Sequence, residues 1–96
     1  MTYEEFQRST NADAPSEEMT LVLKALWWDA KGDWTKAHEC AQQRETADHA
    51  WVHAYLHRKE KDDANAGYWY RQARRTPSRA SLDEEWGQIA AELLTR

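Results

Sequence analysis

The sequence predicts an all-α fold: two tandem helical hairpins, preceded by a short helix and closed by a C-terminal capping helix. Two observations carry this. A segment recurs at a period of 29 residues, and no segment alternates apolar and polar residues as a half-buried strand does. In the repeat, Ala25 falls on Ala54, Asp33 on Asp62 and Ala37 on Ala66, with Leu26 on Tyr55 and Trp27 on Leu56 between them. Self-similarity at such a period is the mark of stacked hairpins, because one hairpin cannot bury its apolar face alone.

Each element follows from local signals. Thr2 and Glu5 have the spacing of a capping box, which starts a short helix over 3–8 that presents Tyr3 and Phe6. Residues 9–15 read as a loop. Pro15 suits a first helical turn and Ser16 a cap, so the next helix is expected over 16–31, with Leu21, Ala25 and Trp28 at helical spacing. Gly32 stops it and Asp33 caps a helix over 34–44 that buries Trp34, Ala37 and Ala41. Thr46 caps a helix over 47–59 and Asp62 one over 63–75, with Pro77 beyond. Ser81 and Glu84 form a second capping box, and Leu82, Trp86, Ile89, Ala90 and Leu93 make a 3.6-residue stripe over 82–94. One domain is expected over 1–96, with hairpin 1 at 16–44 and hairpin 2 at 46–75.

Composition defines the core. Leu, Ile, Val and Phe supply only 11 residues, but 6 Trp, 4 Tyr and 15 Ala accompany them and the net charge is only −4. A large aromatic buries ~150–250 Å², and alanine opposite it lets helices approach closely, so an aromatic-on-alanine core is expected. The single cysteine, Cys40, has no partner for an internal disulfide, which suits a reducing cytoplasm. No apolar run has the length of a membrane span, the polar first residues do not read as a signal peptide, and the acidity argues against nucleic acid.

At these residues the chain resembles the tetratricopeptide and Sel1-like repeat families. The match is a small residue on each first helix (Ala25, Ala54) and a tight turn (Gly32-Asp33-Trp34; Lys61-Asp62-Asp63). Small and bulky residues follow on the second helix (Ala37, Ala41; Ala66, Tyr70, Ala73). It covers 17–78, and departs from the family in Lys61 at the turn and in the short period. The stretch from Trp51 to Glu60, with Tyr68-Trp69-Tyr70-Arg71, also resembles a group of small uncharacterised bacterial proteins. The first resemblance implies a TPR-like, non-catalytic protein- or peptide-interaction module. Its first helices would line a groove with Val22, Leu26 and Asp29 from copy one and Trp51, Tyr55, Arg58 and Lys59 from copy two. Alternatively, helices 3–8 and 82–94 fold over that face and close the core.

Two other readings stand beside it. His49, His53 and His57 lie at i, i+4 and i+8 on one helix. Adjacent imidazoles one turn apart chelate divalent metals, though the outer two are ~12 Å apart along the axis and cannot share an ion. A site would therefore take one pair, His53 and His57 first, plus Glu45 or Glu60. The repeat sets His57 on Trp28, a packed position, and His53 on Lys24, a half-exposed one. The other reading is a homo-oligomer formed through exposed Trp or Leu surface. Arg71, Arg74, Arg75 and Arg79 sit at a helix C-terminus, where the dipole favours cations, and could alternatively receive an acidic partner. No catalytic set and no cofactor is expected: His38 and Cys40 point in different directions, the serines sit at caps and loops, and the three glycines do not cluster.

Overall fold

Side chains that accept from backbone N–H groups set the start of every helix in this chain. In the computed structural model, which describes residues 1–96, these helices are α1 (Tyr3–Ser9), α2 (Leu21–Ala30), α3 (Trp34–Ala41), α4 (Ala47–Lys59), α5 (Asp63–Ala73) and α6 (Leu82–Leu93). Thr2 and Ser81 form reciprocal capping boxes with Glu5 and Glu84, while Asp33, Thr46 and Asp62 each accept from the N–H three residues on. There is no strand.

Three boundaries differ from expectation by more than one residue. The helix expected from Ser16 begins at Leu21, because Thr20 takes an extended conformation and its hydroxyl accepts from Leu23 N at 3.3 Å. Ser16 caps a single turn instead, through Glu18 N at 3.2 Å and Met19 N at 3.1 Å, and that turn delivers Met19 to the core. The helix expected to reach Arg44 stops at Ala41, and the one expected to reach Arg75 stops at Ala73, where Arg74 turns left-handed.

The repeat survives in backbone shape as well as in sequence. Gly32 (φ 81°) and Lys61 (φ 64°) both lie in the left-handed region. The N–H groups of the following Asp33 and Asp62 bond back to Trp28 O and His57 O at 3.0 Å each. Lys61 therefore holds a glycine's conformation against its own Cβ, a cost of roughly 1–2 kcal/mol for an L-residue. Lys61→Gly should raise stability by about 1 kcal/mol and Gly32→Ala lower it by a similar amount, both readable as shifts in urea midpoint.

Packing centres on α4. It pairs with α5 across the Lys61 turn and also touches α2, α3 and α6, so residues 49–56 are buried without interruption. α2 pairs with α3 across the Gly32 turn. The core is aromatic on alanine: Trp27, Tyr55, Tyr70 and Phe6 lie against Ala25, Ala37, Ala41, Ala54, Ala66 and Ala90. Every buried side-chain polar atom has a partner. The indole N–H groups of Trp27, Trp34 and Trp86 donate to Ser9 O, Leu56 O and Leu26 O at 3.0–3.1 Å, which ties α1, α3 and α6 to their neighbours. No helix is long and apolar enough to cross a membrane.

Candidate functional site

The face formed by α2 and α4, expected as an open groove, is covered. α6 lies across both helices, and Phe6 of α1 stacks on Trp86 of α6 at 5.6 Å. Leu26, Tyr55, Asp29 and Trp51 are consequently buried, at 0%, 2%, 4% and 6% exposure, and do not form an open groove. Packing the apolar stripe of α6 over these side chains takes their apolar surface out of water, which is the physical reason for the correction. Arg75 adds a lid, its guanidinium lying 3.4 Å from the Trp51 ring centre while pairing with Glu92.

Arg58 and Lys59, also expected in the groove, point instead to buried carboxylates. Glu85 of α6 accepts from Arg58 Nη1 at 2.8 Å and from the Tyr70 hydroxyl at 2.6 Å, and Arg58 also donates to Ala80 O. Asp29 of α2 accepts from the Tyr55 hydroxyl at 2.7 Å and Lys59 Nζ at 2.8 Å. Burial, reinforced by the adjacent Asp29 carboxylate, holds the Tyr55 hydroxyl well above its ordinary range, so it stays a donor. Burial acts the same way on Tyr70, with the Glu85 bond adding to it.

What remains open on this side is a cleft of about 510 Å³ between α1, α2, α4 and α6. Asp29, Tyr55 and Lys59 line its polar floor, Tyr3 and Trp86 its aromatic wall, and Asp83 its rim. Three of the six residues read from the sequence as partner-binding therefore meet there, while Leu26, Trp51 and Arg58 do not. The N-terminal residues and Asp83 were missed, because their place depends on how α1 and α6 dock.

The histidines also rearrange. His49 is buried and its Nδ1 lies 2.9 Å from Ala41 O, which makes it a packing residue of the α3–α4 seam. His53, expected half exposed, is buried under Trp69, whose ring stacks on it at 4.0 Å; His57, expected packed, keeps a partly open edge. The third imidazole beside them is His38 of α3, with Nε2 at 2.9 Å from His53 Nε2. Neither Glu45 nor Glu60 belongs to the set of convergent ligand atoms, which is His38, His53 and His57. Cys40 is half-buried, and that burial raises its thiol above the usual range. The large hydrophobics left exposed are Met1 and Tyr68, while Trp28, Trp34, Trp69, Trp86, Leu82 and Leu94 are partly buried.

Burial, with His38 and His57 adding to it, pushes His53 down to about 4. An unfolded histidine takes up its proton near pH 6.5, whereas folded His53 resists it until about pH 4. Stability should therefore be intact above pH 6.5, fall as pH drops to about 4, and level off below, by at most about 3 kcal/mol. Burial lowers His38 in the same direction. Urea midpoints at pH 7 and pH 4.5 should fall less between those values in His53→Gln than in the wild type.

Compared with known proteins, the chain matches no family model, no curated protein and no solved structure.

Proposed function

We propose that the chain is a non-catalytic interaction module on a TPR-like pair of hairpins, and that it binds through the cleft between α1, α2, α4 and α6. The cleft carries this reading. Its volume of about 510 Å³ falls within the ~300–1,000 Å³ of ordinary ligand sites, which combine apolar walls with a few fixed polar groups. The floor is preorganised, since Asp29, Tyr55 and Lys59 already hold one another. Lys59 balances Asp29, which leaves the exposed Asp83 carboxylate as the charge in excess at the rim. Beside the rings of Tyr3 and Trp86, that favours a cation. The partner is a short protein segment presenting a lysine or arginine side chain, met in the cytoplasm, which suits the single thiol.

Fluorescence anisotropy with labelled basic and acidic decapeptides tests this. Basic peptides should bind, and Asp83→Asn should weaken them several-fold at unchanged circular dichroism, because a rim carboxylate facing a cation contributes about 1 kcal/mol. Equal affinity for acidic peptides, or no effect of Asp83→Asn, would remove the reading.

A further inference from the structure

The geometry points to a second site, independent of the cleft: a divalent transition-metal site, of the zinc and nickel class, formed by His38, His53 and His57 at the seam between the two hairpins. One ligand atom from each imidazole lies within 4.8 Å of the other two. His53 and His57 sit one turn apart on α4, the spacing with which a helix offers two imidazoles to one ion. His38 enters from α3, so the donors come from two elements that already pack together.

The competing explanation is an aromatic stack, and it accounts for part of what is seen. Trp34 lies on the His38 ring at 4.7 Å and Trp69 on the His53 ring at 4.0 Å. Those contacts engage ring faces and fix ring planes. They do not explain why one nitrogen from each of three rings lies within 4.8 Å of the other two. His38 and His53 can share one proton between their Nε2 atoms, and that bond does not engage His57, whose ring nitrogen also lies within 4.8 Å of the other two ligand atoms. A cation at the centre satisfies all three lone pairs together.

The reach is right. Nitrogens around a tetrahedral ion at about 2.1 Å stand about 3.4 Å apart. The His38–His53 separation is 2.9 Å and none exceeds 4.8 Å, so loading requires one pair to open slightly and the third ring to swing inward. The Trp34 and Trp69 stacks hold two ligand planes in place before the ion arrives, and Asp62 Oδ2 stands 4.0 Å from His57 Nδ1, beyond hydrogen-bond reach. An all-imidazole set prefers zinc, nickel and copper to magnesium or calcium. Three donors leave a fourth position for water or for a donor from outside.

The test is calorimetry on the full chain after chelator treatment, with Zn²⁺, Ni²⁺ and Mg²⁺ as probes. Zn²⁺ and Ni²⁺ should bind one per chain and Mg²⁺ should give no heat. His38→Gln and His53→Gln should each weaken Zn²⁺ by roughly 100-fold, whereas His49→Gln, outside the cluster, should bind like the wild type. Nitrogen NMR of the wild-type histidines gives a readout that needs no variant: Zn²⁺ should shift His38, His53 and His57 ring signals and leave His49 in place. No one-to-one heat with Zn²⁺ or Ni²⁺, affinity unchanged in His38→Gln, or shifts confined to His49 would each overturn the assignment. None of these outcomes bears on peptide binding at Asp83, so the two sites stand or fall separately.

Discussion

Trp51→Ala combined with Tyr55→Ala is expected to unfold the protein, not to disable a binding surface. Both side chains are buried, Tyr55 against α2 and α6 and Trp51 beneath Arg75. Truncating a buried large aromatic costs about 3–5 kcal/mol. A chain of this length has about 5–14 kcal/mol in total. Two such losses, about 6–10 kcal/mol together, take a large part or all of it, and Tyr55→Ala also strips Asp29 of a hydrogen-bond donor. Far-ultraviolet circular dichroism should show lost helix at 25 °C or a melting point lowered by tens of degrees. A folded double variant with wild-type melting would contradict the closed core.

The second large effect falls on Glu85. At 1% exposure it joins three helices: α6 supplies the carboxylate, α4 supplies Arg58 and α5 supplies Tyr70. Glu85→Ala leaves a guanidinium and a phenol facing a cavity, and removing one member of a buried pair costs about 3–5 kcal/mol. Because Arg58 keeps some contact with water, the low end is expected. Replacing both Arg58 and Glu85 by Met should recover much of the loss, since no charge is then left buried alone. Urea unfolding of the single and double variants measures this directly, and a double variant worse than Glu85→Ala would refute the account.

Much of the architecture is legible from the residues because capping is local chemistry. Thr2, Asp33, Thr46, Asp62 and Ser81 each satisfy an N–H three residues away, and all five are readable without knowing the fold. The repeat likewise locates both turns, even though one of them carries Lys61. Ser16 misleads for the same local reason: it caps a turn, and whether that turn extends into a helix depends on Thr20. The groove is illegible because α4 is buried on almost every side, so periodicity along it cannot say which neighbour covers which face. Its outcome depends on α6, whose Trp86 reaches Leu26 from 60 residues away. The histidine cluster was half visible. The i, i+4 pair is written in the sequence, but its third member is 15 residues from His53 on another helix. The signal available was that Trp34, His38 and Ala41 share one face of α3, the face that packs on α4.

The covering of α2 and α4 by α6 has a consequence for competition. α6 is tethered through residues 74–81 to the end of α5, beside the face it occupies. A short tether presents its own segment at an effective concentration on the order of millimolar. Any foreign helix directed at Leu26, Trp51 or Tyr55 must displace an occupant that is never diluted away, and one further secured by Glu85. The protein therefore keeps its most adhesive aromatic surface saturated with itself.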